Sequence, residues 1–184
     1  ASVTVLCAAL TGAWIGINAS AERSVVRYRS IVTYDLPQMK DPGYAWEQLA
    51  AYYRERKDTP GEIAMLENAV ATSRNPRYRI ALGYHYYARG DKDRGIELIG
   101  EGLRSDPSDG RARQTLVQML LLSRRFDELI LLCDEGTQRE PGNPFYPFYK
   151  GRALAAGRRT TESIEALKQA SRLNPTPQMA KQID

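Results

Sequence analysis

Residues 82–107 read Leu82-Gly83-Tyr84-His85-Tyr86-Tyr87-Ala88-Arg89-Gly90-Asp91-Lys92-Asp93-Arg94-Gly95-Ile96-Glu97-Leu98-Ile99-Gly100-Glu101-Gly102-Leu103-Arg104-Ser105-Asp106-Pro107. Two helix-length runs flank the turn Arg89-Gly90-Asp91-Lys92. A proline, which cannot continue a helix, closes the second run. The layout returns at a fixed interval: Pro107, Pro141 and Pro175 are each 34 apart. Leu82-Gly83, Leu116-Val117 and Lys150-Gly151 fall in register, and so do Gly95, Leu129 and Ser163. Ile99, Cys133 and Leu167 align, followed by Gly102, Gly136 and Ala170. One period earlier, after a slip of one residue, come Trp46, Leu49-Ala50, Tyr53, Leu66 and Ala69. Small residues recur where two helices cross closely, and large apolar ones where a core is filled. Ser123-Arg124-Arg125 and Gly157-Arg158-Arg159 supply the later turns, and Asn143-Pro144 reads as an N-cap followed by a first-turn proline.

This recurrence resembles the tetratricopeptide repeat (TPR), a 34-residue helix–turn–helix unit with a Trp-Leu-Gly-Tyr-Ala-Phe-Ala-Pro skeleton. Leu82, Gly83, Tyr86, Gly90, Gly95, Ile99, Gly102 and Pro107 trace the skeleton best. The last unit follows it through Gly151, Leu154, Ser163, Leu167, Ala170 and Pro175. The third unit departs, with Val117 at the Gly place and Gly136 at an Ala place. The first departs at its turn, Lys57-Asp58-Thr59-Pro60. The resemblance covers residues 43–175 and implies an all-α fold. Units at about 43–75, 76–109, 110–143 and 144–177, in a domain 43–184, would stack into a right-handed α-solenoid, since one hairpin cannot bury both faces. Residues 177–184 are short and polar for a closing helix.

The first 21 residues are different material. Ala1 to Ala21 carries no charge. As a helix it would rise about 31 Å, close to the hydrocarbon thickness of a bilayer. Its apolar residues run all round, as lipid contact requires. A single N-terminal transmembrane helix is therefore expected at 1–21, in contact with the lipid bilayer, with a juxtamembrane helix or linker at 22–42. The alternatives are a signal peptide, for which Ala19-Ser20-Ala21 offers a small-x-small site, and a buried core helix. Arg23, Arg27 and Arg29 against Glu22 bias this flank toward the cytoplasm.

The whole chain has 184 residues, 42% of them hydrophobic and 26% charged, which fits a folded body and excludes wholesale disorder. Its net charge is +4, carried by 20 Arg and 6 Lys. Most Arg stand beside Asp or Glu and read as a solvated, salt-bridged face. One His and two Cys leave no material for a zinc site, a Cys–His nucleophile or a disulfide framework. His85 has no partner at metal or triad spacing. Cys7 lies in the apolar segment and Cys133 at a helix-core place, so they read as free thiols. Acid pairs such as Asp91/Asp93 and Asp134/Glu135 have no evident cleft to raise their pKa. No glycine-rich phosphate loop follows a strand. Neither catalysis, nor a cofactor, nor a metal, nor a small-molecule substrate is expected. Arginines among tyrosines are the only pointer to nucleic acid, and the membrane segment argues against that partner.

The resemblance also implies that the first helix of each unit lines a concave groove, through its second, fifth, ninth and twelfth places. Read onto this sequence, these are Tyr44, Glu47 and Arg54; then Arg77, Ile80, Tyr84 and Tyr87; then Arg111, Gln114, Gln118 and Leu121; then Phe145, Phe148 and Arg152. The partner-binding residues expected are Tyr84, Tyr87, Arg111, Gln114, Gln118, Phe145, Phe148 and Arg152. Rings give contact area at low entropic cost, and Arg holds carboxylates bidentately. Tyr53 and Tyr86, at a core place of the family, are expected inside. The function implied is a non-catalytic, membrane-anchored scaffold that binds proteins as a subunit or assembly factor of a membrane complex, such as exopolysaccharide or secretion machinery. It would sit in a bacterial-type inner membrane with its repeats in the cytoplasm. The alternative is a periplasmic chaperone of the cytochrome c maturation type holding a client peptide.

Overall fold

The computed structural model describes residues 40–183. The apolar stretch 1–21 and most of the expected linker lie outside these residues. Helices α1 (Gly43–Glu55), α2 (Thr59–Thr72), α3 (Pro76–Ala88) and α4 (Lys92–Ser105) are followed by α5 (Gly110–Leu122) and α6 (Phe126–Arg139). Helices α7 (Phe145–Ala156), α8 (Thr160–Arg172) and the short α9 (Pro177–Ile183) complete the described chain, which contains no strand. None of these helices is long and apolar enough to cross a membrane.

Each odd-numbered helix from α1 to α7 begins under the same device. Asp41 Oδ1 accepts from the Gly43 N–H (3.1 Å) and Asn75 Oδ1 from Arg77 (3.2 Å). Asp109 Oδ1 accepts from Ala112 (2.9 Å) and Asn143 Oδ1 from Phe145 (3.0 Å). These four caps stand 34 residues apart without a slip. Each satisfies an N–H that has no partner inside its helix. Gly110 is consequently the first residue of α5, because Asp109 starts the helix before it.

The turn inside each helical pair is also periodic. Gly90 (φ 97°), Arg124 (φ 58°) and Arg158 (φ 61°) occupy the left-handed region, as does Lys57 (φ 58°). Only one of the four is glycine, so the other turns bear the steric cost of a Cβ there. In the first pair the turn residue comes one place late, in step with a register slip already present at Leu49-Ala50 on α1. The connection Ser73-Arg74-Asn75 is correspondingly short.

The chain divides into two compact units, Ala1–Leu82 and Gly83–Asp184. In the first, Leu49, Ala50, Ile63, Leu66 and Tyr78 are buried between α1, α2 and the start of α3. Asp41, read from sequence as part of a linker, is a hub of this unit. Its carboxylate accepts from Ser73 Oγ (2.7 Å), Tyr78 Oη (2.9 Å) and Asn75 Nδ2 (3.2 Å). Burial pushes the Asp41 carboxyl up, but the hydrogen bonds from Ser73, Tyr78, Asn75 and the Gly43 N–H outweigh it and hold the group below its ordinary 3.8. Burial pushes the Tyr78 hydroxyl up to about 12.

In the second unit, α4 packs on α3 where both lack side chains. A Cβ on Gly83 would stand 2.7 Å from Ile99 Cγ1 and 2.8 Å from the Gly95 carbonyl oxygen. Gly151 repeats this against Leu167 (2.7 Å), and the buried Ser163 hydroxyl donates to the Gly151 carbonyl (2.8 Å). Ile99, Val117, Leu129, Cys133, Tyr146 and Leu154 fill the interior. Burial raises the Cys133 thiol to about 12, which leaves it an inert core residue. Helix α9 touches α8 but buries none of its own residues.

Candidate functional site: the first-helix face of residues 83–184

Within the second unit the first helices of successive pairs (α3 from Gly83 on, α5 and α7) meet along one face. The Thr115 side chain hydrogen-bonds Tyr84, 31 residues before it in the chain. Gln118 Nε2 donates to Tyr149 Oη (3.4 Å), again across 31 residues. The ninth place of one unit thus meets the sixth place of the next, twice in succession. Tyr87 Oη donates to the Met119 carbonyl (3.4 Å) beside them. Burial raises the Tyr84 hydroxyl above its ordinary value, with Thr115 and Arg111 pulling the other way and Asp109 reinforcing it. Tyr84 therefore stays a neutral hydroxyl at physiological pH.

The expected residues divide on this face. Tyr84, Tyr87 and Gln114 are half-buried, and Arg111, Gln118 and Arg152 are exposed. Phe145 and Phe148 are not open to a partner: they keep 8% and 3% of their surface. The rings of α7 pack on one another instead. Phe145 lies 4.3 Å from the Tyr149 ring and 5.4 Å from that of Tyr146, while Phe148 meets Tyr149 edge-on at 5.3 Å. Apolar rings retreat into this cluster, and the amphipathic Tyr149 keeps its hydroxyl toward Gln118. Arg152 extends over the cluster, 5.6 Å from the Tyr149 ring centre and 5.8 Å from Phe148, within cation–π reach. Tyr149 was missed because the family's inward places skip it. The signal available was the run of four rings around Pro147, Phe145 to Tyr149; of its two hydroxyls, that of Tyr146 is buried against Glu140 and that of Tyr149 stays near the surface.

Of the places in the first unit, Tyr44 and Arg77 are exposed, Glu47 is half-buried and Ile80 is buried. Arg77 Nη2 pairs with Glu47 (2.5 Å) and Arg54 with the buried Glu62 (2.5 Å), so these charges are already matched inside the unit. Tyr53 and Tyr86 are half-buried rather than interior. Arg94 covers the Tyr86 ring at 4.1 Å. Lys150, the lone lysine of the first helices, is paired with Asp134 (2.5 Å). Among the described residues no cluster of His, Cys, Asp or Glu is arranged to hold a metal ion.

Helix pairs of 34 residues, closed by glycine crossings and joined along their first helices, match solved structures of one kind. YrrB, described as a TPR protein with an unusual peptide-binding site, superposes with a TM-score of 0.67 at 16% identity, covering 92% of this chain and 86% of its own. The fold is that of the tetratricopeptide repeat. MamA from Desulfovibrio magneticus gives a TM-score of 0.60 at 17% identity over 74% of this chain and 77% of that one. The TPR2B domain of yeast Sti1, solved in complex with an Hsp70 peptide, gives 0.51 at 20% identity over 61% and 92%. Neither a protein-family model nor a curated protein matches the sequence. In the TPR fold the face described above is the one built from first helices, and its exposed members here are glutamine and arginine, with half-buried tyrosines beside them.

Proposed function

We infer that this protein is a non-catalytic TPR scaffold that holds partner proteins on the first-helix face of residues 83–184 and is tethered to a membrane by residues 1–21. The observation that carries the binding reading is the Tyr84–Thr115 and Gln118–Tyr149 ladder with Arg111 and Arg152 beside it. It holds rings and amides rigidly at a surface, so little entropy remains to be lost when a segment docks. The partner chemistry that fits is an extended or helical segment with apolar side chains for the rings and a carboxylate for Arg152 or Arg111. Two solved proteins of the same fold, described as binding a peptide and as bound to one, support this use of the fold.

The tether rests on sequence: 21 uncharged residues, then Arg23, Arg27 and Arg29. With that charge bias the repeats face the cytoplasm of a bacterial-type inner membrane, as part of a larger membrane complex. Purification of the full chain in detergent, with identification of co-purifying proteins, tests the scaffold. Loss of those proteins on Gln118→Ala plus Tyr149→Ala supports the face assigned here, and retention refutes it. Carbonate extraction tests the tether separately: release of the full chain into the supernatant removes it. A reporter enzyme fused after Asp184 that is active only outside the cytoplasm reverses the orientation.

A further inference from the structure

Between the second helices α4 and α6 lies a cavity of about 960 Å³. Leu116 and Leu120 of α5 form its floor, with Ile96 and Leu103 on one wall and Leu131 and Leu132 on the other. Leu131 is 66% exposed. Leu131 carries the apolar lining from the floor out to the open rim, and contiguous apolar surface of this kind marks interaction sites.

Charge is sorted along the trough. At the first turns, Arg125 Nη1 pairs with Asp93 (3.2 Å) across the two helices, and Arg125 Nε pairs with Glu128 (2.6 Å). Two carboxylates thus answer one guanidinium, and Glu97 adds another carboxylate nearby. The last turns of α4 and α6 place Arg104 and Arg139 on the lining, and no ion pair joins either to a carboxylate among the described residues. Arg113 lines the same end from α5 and keeps only 3% of its surface. Its Nη2 donates to the Pro107 carbonyl, its Nη1 lies 3.9 Å from Glu140, and its Nε is buried without a partner. One end is acidic, the middle is leucine and isoleucine, and the other end carries three guanidinium groups against two carboxylates, Glu135 on the lining and Glu140 beside Arg113.

We propose that this trough is a second docking surface, distinct from the first-helix face, for an amphipathic helix of another protein whose apolar stripe ends in carboxylates. The walls are two helices, so a third laid between them packs ridge into groove at an axis distance of about 8–10 Å. From Asp93 to Arg104 is about 17 Å at helical rise, spanned by a partner stripe of i, i+3, i+4, i+7 spacing. The carboxylates meet Arg104 and Arg139, where the fork geometry of Arg favours them. The acidic pair at the far end repels them, which fixes the direction in which the helix lies.

The test uses the full chain in detergent and two fluorescent synthetic helices with the same leucine stripe. One carries three glutamates at one end and three lysines at the other; the second carries lysine at both ends. Fluorescence anisotropy is expected to show saturable binding of the first peptide and at least tenfold weaker binding of the second. Arg104→Glu with Arg139→Glu, and separately Leu131→Glu, each weaken the first peptide at least tenfold. These residues lie on the trough lining, and circular dichroism confirms that the variants stay helical. Tyr149→Ala leaves the affinity unchanged. Equal affinity for the two peptides, or no saturation up to about 1 mM, overturns the proposal. Loss with Tyr149→Ala but not Leu131→Glu also overturns it, by moving the peptide to the first-helix face.

Discussion

Gln118 Nε2 donates to the Tyr149 hydroxyl oxygen, tying the ninth place of the third helical pair to the sixth place of the fourth across 3.4 Å. Tyr149 is half-buried and Phe148, its neighbour, is sealed at 3% exposure. Adjacent residues on one helix therefore have opposite duties. Tyr149→Ala is expected to weaken partner binding by about 1–3 kcal/mol with a small shift in Tm. Phe148→Ala is expected to cost about 3–5 kcal/mol of stability by opening a cavity. Thermal melts paired with binding assays separate them. A Phe148→Ala variant that melts like the parent would put that ring back on the surface.

The glycine crossings give a graded series. Gly83→Ala and Gly95→Ala place a Cβ against backbone oxygen at 2.8 and 2.7 Å, so α3 and α4 must move apart. Each is expected to cost about 1–3 kcal/mol. Gly142 has open space around it, and Gly142→Ala should be neutral within about 0.5 kcal/mol. Gly100, in mid-helix with only the Arg104 guanidinium 3.5 Å from a built Cβ, should gain about 0.5–1 kcal/mol on change to Ala. Chemical denaturation of the four variants measures the order.

The turn positions reverse this logic. Arg124 and Arg158 stand in the left-handed region where the second pair uses Gly90. Arg124→Gly and Arg158→Gly are each expected to stabilise by up to about 1 kcal/mol, while Gly90→Ala destabilises by a similar amount. Neither arginine has an ion pair among the described residues that the change would remove. Unchanged or lowered denaturation midpoints for both arginine variants would refute the expectation.

Acid should loosen the first unit through Asp41. Its folded-state pKa lies below the ordinary 3.8, so the unfolded chain takes up the proton first as pH falls. The stabilisation is complete above the unfolded value and is lost as pH drops through the folded one. Hydrogen exchange of the α1–α3 amides is expected to accelerate below about pH 4, and Asp41→Asn should flatten that dependence while raising exchange at neutral pH. An acid response that Asp41→Asn leaves intact would assign it to other carboxylates.

Much of the fold could be read from recurrence alone. Pro107, Pro141 and Pro175, with small residues at 83, 95, 102, 136, 151 and 170, report local constraints. Prolines end helices, and side chains that would clash at a crossing are absent. Such constraints act within one helical pair, so the chain displays them at a fixed period. Of the caps at 41, 75, 109 and 143, only Asn143 reads as one from sequence, by its Asn-Pro pair, while Asp41 reads as part of a linker, although an N-cap depends on only two or three neighbouring residues. The apolar run 1–21 likewise declares its chemistry by composition, and what it does stands outside the described structure.

The site was decided only by tertiary contact. Whether a ring on α7 faces solvent or a neighbour depends on how that helix rotates against α5 and α8. A one-place rotation of about 100° exchanges Phe148 for Tyr149. No repeat period encodes that angle. It follows from burying two phenylalanines while giving one hydroxyl a partner in Gln118, a balance among residues 27 to 31 positions apart in the chain. The trough between α4 and α6 is likewise invisible in sequence. Arg104, Arg113 and Arg139 look like three unrelated surface charges until the turns fold their ends together, and only then does the apolar strip between them acquire walls.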